Sequence, residues 1–119
     1  MVKLTDKTTT INDLKKILAT FRKARKWEKN HTPKNVSQAL SIEAGELLEL
    51  FLWKTDAQIA RKLKEKEFRT KVEDELADIL CYCINFALSA DIDIARAVTS
   101  KIAKNAKKYP VSGPALGKC

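Results

Sequence analysis

The stretch SIEAGELLE at residues 41–49 decides how the fold is interpreted, because it places an acid inside the apolar stripe of a helix. At about 100° per residue, Glu43 projects within about 60° of four apolar side chains, namely Val36, Leu40, Leu47 and Leu50. A carboxylate at such a position costs free energy unless a cation or hydrogen bonds compensate it. Glu46 projects from the same side one turn later. The stretch therefore predicts either a metal site or an amphipathic helix whose polar edge carries two glutamates.

Composition favours a single helix-rich domain. The chain has 119 residues, of which 45% are hydrophobic and 32% are charged, with only 3 Gly and 3 Pro. This length supports one core, and the scarcity of Gly and Pro argues against a β fold with many turns. No run reaches the roughly 18 apolar residues of a membrane span, and the N-terminus has no apolar signal-peptide core. We therefore expect a cytoplasmic protein with an all-α fold.

The charge is strongly basic but unevenly distributed. A formal net charge of +8 indicates an anionic partner, such as a nucleic acid, a nucleotide or an acidic surface, unless the basic surface only keeps the protein soluble. Acids concentrate at residues 43–49 and 73–78, whereas the C-terminal third is rich in lysine. Acidic and basic clusters together suit a metal–phosphate site better than DNA binding, which would not place carboxylates near phosphates.

Apolar spacing and cap residues predict a small bundle, similar to a four-helix bundle, of four long helices and one short charged helix. Thr10 can cap the first helix, Thr32 followed by Pro33 is a strong start signal for the second, and Pro110 ends the last. The first predicted helix runs from residue 11 to about 30, and the second from 33 to about 53. Residues 55–58 indicate a break and a new cap, and a short helix follows to about residue 66. The third long helix covers about 68–90, and Asp91 or Asp93 can cap the last one. We expect three segments along the chain: a flexible N-terminus (1–10), the helical domain (11–110) and an irregular tail (111–119).

A second acid pair repeats the feature of the first. Glu75 and Asp78 are three residues apart on the third long helix, and Tyr82 and Asn85 continue along the same side. If the two acid-bearing helices pack antiparallel, four carboxylates can converge. Oxygen ligands without histidine suit a hard cation, so Mg²⁺ is the best choice and Mn²⁺ a substitute. Protein-bound Mg²⁺ usually keeps waters and binds substrate phosphates, so the pattern points to a polyphosphate substrate.

The two acid pairs resemble the signature of the MazG-like, all-α nucleoside triphosphate pyrophosphohydrolases. Glu43-x-x-Glu46 is followed, after 28 intervening residues, by Glu75-x-x-Asp78. Residues 27–35 (WEKNHTPKN) and 51–54 (FLWK) resemble the dCTP pyrophosphatase branch, and residues 104–111 (KNAKKYPV) resemble the end of the family's last helix. The resemblance covers about residues 18–112.

The resemblance implies an activity, a cofactor and an assembly. Such enzymes hydrolyse a (deoxy)nucleoside triphosphate to the monophosphate and pyrophosphate, require Mg²⁺, and form homodimers or dimer-of-dimer homotetramers with active sites near subunit interfaces. Glu43, Glu46, Glu75 and Asp78 match the family's metal ligands. Trp27, His31 and Trp53 match positions that line the nucleobase pocket, and Lys54 follows Trp53 in the same motif. Positions near the sugar or phosphates are matched by Tyr82, Asn85, Lys101, Lys104, Asn105, Lys108 and Tyr109.

General physical chemistry is consistent with that reaction. A bound Mg²⁺ neutralises phosphate charge and lowers the pKa of a bound water, and a carboxylate that is not fully used as a ligand can accept the water's proton. We favour Glu46 as this catalytic base, although the sequence does not separate it from Glu43. Water then attacks the α-phosphorus and pyrophosphate leaves.

Two other functions remain open from the sequence. The first is a non-catalytic, basic helical module that binds nucleic acid, and it would not need the acids. The second is a structural oligomer whose buried carboxylates pair with lysines. Within the enzyme hypothesis, the base and sugar preference and the number of metal ions also remain open.

Overall fold

The computed structural model describes residues 3–112 and contains no strand within that range. Short connections join five helices: α1 (Ile11–Ala24), α2 (Pro33–Glu49), α3 (Asp56–Lys62), α4 (Lys66–Ala90) and α5 (Ile94–Lys108). The prediction of an all-α fold with four long helices and one short helix is confirmed. Residues 113–119, which make up most of the predicted C-terminal tail, lie outside the described range.

Side-chain caps explain where four of the helices begin. Thr10 and Thr55 each form a capping box with the residue three positions later, which satisfies backbone N–H groups that the first turn leaves free. Thr32 accepts a hydrogen bond from the Asn35 backbone ahead of α2, and Asp93 caps α5 in the same way. Each of these cap residues is visible in the sequence.

Three helices end earlier than the sequence predicts, and one of them is α3, which stops at Lys62 rather than near residue 66. The first helix stops at Ala24 rather than near residue 30, because the chain closes in a Schellman motif. Lys26 takes a left-handed conformation (φ 58°), and the backbone N–H of Trp27 donates to the Arg22 carbonyl. The second helix stops at Glu49 rather than residue 53, and Trp53 is also left-handed (φ 64°).

Helices α2 and α4 pack antiparallel and form the centre of the fold. The segment before α2 contacts the C-terminal part of α4, since Ser89 Oγ donates to the His31 carbonyl. At the other end, the Phe51 and Phe68 rings meet edge to face with centroids 6.1 Å apart. The buried apolar side chains belong to these two helices: Val36, Phe68, Ile84 and Ala87. This arrangement sets the mid-portions of α2 and α4 side by side.

The terminal elements lie around this pair. Helix α1 packs against α4, and Lys15 Nζ donates to the Ile92 carbonyl just before α5. Helix α5 buries none of its residues. The segment before α1, predicted to be flexible, contains a turn in which Thr8 Oγ1 accepts from the Thr5 backbone; its mobility in solution stays a prediction. Within residues 3–112, no helix has the length and apolarity that crossing a bilayer requires.

Truncation of Val36 should destabilise the protein, because its side chain is the most enclosed in the α2–α4 interface at 2% exposure. We expect Val36→Ala to lower the free energy of unfolding by about 2 kcal/mol, since it removes buried methyl groups and leaves a cavity. Denaturant unfolding at fixed protein concentration measures the change. The matched control is Val111→Ala at a fully exposed position, and equal effects of the two substitutions would contradict the assigned core.

Candidate metal centre and adjoining cavity

Three carboxylates meet at the α2–α4 interface. Glu43, Glu75 and Asp78 each offer one oxygen, and these oxygens lie within 4.8 Å of one another. The antiparallel pairing causes this convergence, because it sets the middle of α2 beside the first half of α4. Glu43 and Glu75 are half-buried and Asp78 is exposed, so the group opens to solvent on the Asp78 side.

The trio lacks a compensating partner among the described residues. Glu43 Oε2 and Glu75 Oε2 are shielded from water and accept no hydrogen bond. The ion pairs found in residues 3–112 lie elsewhere on α4, between Arg69 and Glu73 and between Lys71 and Glu67. Unpaired buried carboxylates are costly, and an all-oxygen set at this spacing fits a divalent cation such as Mg²⁺. The absence of lysine partners here also counts against a purely structural role for these acids.

Electrostatics in the trio favour a bound proton or a cation. Burial raises the pKa of Glu43 to about 7, and the neighbouring carboxyl groups of Glu46, Asp78 and Glu75 add to the shift. Burial also raises the pKa of Glu75, followed by the negative charge of Glu46. Glu46 therefore lies close enough to influence both residues, although it is not one of the three whose oxygens meet.

A cavity of about 370 Å³ adjoins the trio. Asp78 belongs to both features, so the cavity and the carboxylates are continuous. One wall is apolar and comes from α1 and the loop after it: Ile17, Leu18, Phe21 and Trp27. The remaining lining groups are polar or polarisable: Arg22, His31, Asp78, Cys81, Tyr82 and Asn85.

Aromatic rings from α1 and the following loop form a continuous wall. The Phe21 and Trp27 rings meet at 70° with centroids 5.7 Å apart, and Trp27 and His31 lie 5.8 Å apart. Burial, followed by the nearby Arg22 charge, lowers the pKa of His31. The imidazole is therefore neutral at pH 7. An aromatic surface beside a neutral imidazole suits a flat, uncharged ring such as a nucleobase.

A short hydrogen-bond chain fixes the loop that carries Trp27 and His31. Arg22 Nη1 donates to Ser89 Oγ at 3.0 Å, and Ser89 Oγ donates to the His31 carbonyl at 2.5 Å. The chain joins α1, α4 and the loop between α1 and α2. It therefore ties together the elements that carry Arg22 and His31, which both line the cavity.

Five lining residues are not among those predicted from the sequence: the apolar Ile17, Leu18 and Phe21, and the polar or polarisable pair Arg22 and Cys81. Helical spacing alone could have indicated this pair, since Arg22 follows Leu18 by four positions and Cys81 follows Asp78 by three. Burial and the Asp78 charge raise the pKa of the Cys81 thiol, which keeps it protonated and unreactive. Burial also raises the pKa of Tyr82, followed by the Glu43 charge, so its phenol stays a hydrogen-bond donor.

The other predicted substrate residues lie away from this cavity in the single chain. Trp53 is 98% exposed and, with Lys54, lines a separate surface depression near α3. Residues on and after α5 are also outside it: Lys101, Lys104, Asn105, Lys108 and Tyr109. The structure thus brings together Trp27, His31, Tyr82 and Asn85 but not the remaining predicted set.

Comparisons with known proteins agree on one family. The profile of the MazG-like family matches residues 38–115. A dCTP pyrophosphatase 1 from Rattus norvegicus is 39% identical over 102 residues, which are 86% of this chain and 60% of the rat protein. The protein of that name from Homo sapiens is 38% identical over 101 residues, which are 85% and 59% of the two chains. The chain therefore spans about 60% of the length of these curated relatives.

A solved structure shares the fold over nearly its whole length. The crystal structure of a pyrophosphatase from Archaeoglobus fulgidus has a TM-score of 0.79 and 38% sequence identity. The match covers 91% of this chain and 99% of the archaeal chain.

The raised pKa of Glu43 predicts a specific pH dependence of stability. Between the ordinary value of 4.5 and about 7, the native state holds a proton that the unfolded state has lost. The free energy of unfolding of metal-free protein should therefore fall as pH rises through this window. Added Mg²⁺ should raise the melting temperature more at pH 8 than at pH 5.5, because ligand carboxylates must be deprotonated.

Glu43→Gln should remove most of both effects, measured by thermal unfolding in chelator and in Mg²⁺. The comparison with wild type at each pH cancels the contribution of His31, whose lowered pKa makes stability rise with pH. Glu49→Gln, at an exposed position at the end of α2, is the matched control. The same pH slope and Mg²⁺ response in Glu43→Gln and wild type would contradict the metal assignment.

Proposed function

Because the chain belongs to the MazG-like family, we propose that it hydrolyses a deoxynucleoside triphosphate, dCTP or a related nucleotide, to the monophosphate and pyrophosphate. The observation that carries this proposal is the continuity of two features through Asp78. Its carboxylate belongs to the unpaired acidic trio and also lines the cavity with the aromatic wall. A cation site beside a nucleobase-sized cavity suits a nucleotide polyphosphate.

Glu43, Glu75 and Asp78 hold the divalent ion, with Glu46 beside them. When bound, Mg²⁺ neutralises phosphate charge and polarises the α-phosphoryl group. Glu46 is the acid outside the trio of converging oxygens, so it is the best candidate to accept a proton from the attacking water. Glu43 is the alternative base. The water attacks the α-phosphorus and pyrophosphate leaves.

The nucleoside occupies the cavity next to this centre. Trp27 and His31 contact the base, because the indole offers a stacking surface and the neutral imidazole a hydrogen-bonding edge. Tyr82 lies between the carboxylates and the far end of the cavity and contacts the sugar. Positioning of this kind supplies part of the rate enhancement, since it holds the α-phosphorus in line with the attacking water.

The remaining predicted substrate groups reach the nucleotide from a neighbouring copy in a homodimer or homotetramer. Large apolar side chains are exposed on both α2 and α4, among them Ile42, Leu48, Leu76 and Leu80. The radius of gyration is 17.2 Å, whereas a compact domain of this length has about 13.5 Å. An open chain with this much exposed apolar surface gains stability by association. Trp53, Lys54 and the lysines of α5 are then available to a partner's site.

A panel of nucleoside triphosphates tests the proposed reaction. Purified protein with Mg²⁺ and dCTP should yield dCMP and pyrophosphate, detected by chromatography of the nucleotide and a coupled pyrophosphate assay. Asp78→Asn should reduce kcat at least about 100-fold, because it removes the charge that joins the trio to the cavity. The matched control is Asp74→Asn at an exposed position of the same helix, which should retain activity. Release of orthophosphate, or full activity of Asp78→Asn, would refute the reaction or the site.

Association is testable separately from hydrolysis. Analytical ultracentrifugation of the wild-type protein should give a mass at least twice that of one chain. Leu80→Lys should weaken the assembly and lower activity at micromolar concentration, because it places a charge on an exposed apolar face of α4. Val111→Lys, at a fully exposed position, should change neither property. A wild-type protein that is monomeric and fully active would contradict the proposal that a neighbouring copy contributes residues to the site.

A further inference from the structure

Asn85 is a buried polar residue whose side chain has no hydrogen-bond partner among residues 3–112. Its side chain lines the cavity and is only 6% exposed, and its Oδ1 is shielded from water without a hydrogen bond. Buried amides are almost always hydrogen-bonded, so an unpartnered one in a cavity wall indicates a missing ligand group. The resemblance of the sequence gives this position a role near the sugar or phosphates, but its location in the cavity suggests another.

Helix α4 runs along the cavity, so the spacing of its residues gives distances along the cavity. Asn85 lies seven residues after Asp78, which is about 10.5 Å along the helix axis. Tyr82 lies between them, and Ser89 holds the His31 loop one turn beyond Asn85. In a nucleotide, the α-phosphorus and the outer edge of the base are separated by a comparable distance. With the phosphates at Asp78, the base edge reaches Asn85.

Few side chains at the Asn85 end of the cavity can form hydrogen bonds with the edge of a base. Ile17, Leu18 and Phe21 offer no hydrogen bonds. Arg22 already donates to Ser89. Of the lining residues that can hydrogen-bond, His31 and Asn85 are the ones in the described range with a shielded polar atom that has no partner, Nδ1 and Oδ1 respectively.

We propose that Asn85 is a specificity-determining residue whose carboxamide hydrogen-bonds the Watson–Crick edge of a cytosine base. Oδ1 accepts from the exocyclic N4 amine, and Nδ2 donates to the ring N3. Cytosine presents this donor and acceptor side by side, which matches the two atoms of a carboxamide. The inference rests on the proposed nucleotide site and adds the group that reads the base.

The test compares dCTP with the deoxyribonucleoside triphosphate of 2-pyrimidinone, which keeps the ring and N3 but lacks the 4-amino group. Wild type should prefer dCTP by about 10- to 100-fold in kcat/KM, because the analogue leaves Oδ1 unpaired. Asn85→Leu should lose most of this preference. The loss for dCTP should fall mainly on KM, since the contact exists in both the ground state and the transition state.

Two further variants make the comparison specific. Asn85→Ala removes the amide without adding volume and should lose the preference as well. Asn12→Leu makes the same chemical change at an exposed position outside the cavity, and it should keep the wild-type preference. The melting temperature of Asn85→Leu should equal or exceed that of wild type, because an apolar side chain of similar size replaces an unpaired buried amide.

Binding of the products separates this inference from the proposed reaction. Calorimetric titration with dCMP and with the 2-pyrimidinone monophosphate needs no hydrolysis. If wild type releases no pyrophosphate from any nucleotide, the proposed reaction is wrong. Recognition of the base by Asn85 is still supported if wild type binds dCMP more tightly than the 2-pyrimidinone monophosphate and Asn85→Leu abolishes this preference. The role of Asn85 is wrong if wild type binds and hydrolyses the two bases equally well, or if Asn85→Leu and Asn85→Ala keep the wild-type preference.

Discussion

The structure depends on holding like charges together inside a helix interface without a basic side chain to neutralise them. Glu43 faces Glu75 and Asp78 because α2 and α4 are fixed at both ends, by the Ser89–His31 hydrogen bond and by the Phe51–Phe68 contact. Buried Val36, Ile84 and Ala87 supply the apolar contact that offsets the repulsion. The interface is therefore most favourable when a proton or a divalent cation occupies the trio, which couples ligand binding to folding stability.

A single rigid element carries the successive parts of the site. Helix α4 carries Glu75 and Asp78 of the carboxylate trio, and then Tyr82 and Asn85, which line the cavity. Because one helix sets all of these positions, their relative distances are not altered by loop motion. Trp27 and His31 lie in a loop, and loops generally move more than helices. The hydrogen bonds from Arg22 to Ser89 and from Ser89 to the His31 carbonyl tie this loop to α4. Rigid spacing between a metal centre and a base-reading group is what recognition of a whole nucleotide requires.

The sequence predicts the parts of this arrangement that local periodicity controls. The caps at Thr10, Thr32 and Thr55 mark helix starts, and the placement of Glu43 in an apolar stripe predicts that it faces the interface. Helix ends are less predictable, because the left-handed position that closes α1 is Lys26 rather than Gly. Helix α2 ends at Glu49, and its C-cap residue Leu50 keeps right-handed helical backbone geometry. The apolar stripe continues past both ends, so periodicity alone extends each helix too far.

The sequence also does not predict where each helix lies in the fold, and this placement decides which charged side chains come near the carboxylate trio. The lysines of α5 resemble family positions near the sugar or phosphates, yet α5 buries none of its residues and none of these lysines lines the cavity. Among the described residues, no lysine or arginine forms an ion pair with the trio, so the single chain gathers acids where a triphosphate would add further negative charge. A cation alone compensates only part of that charge. The exposed apolar faces and the left-handed, exposed Trp53 are the features that association with a second copy would use. The same association can bring basic side chains to the phosphates. The charge of the bound triphosphate would then be balanced only in the assembled protein.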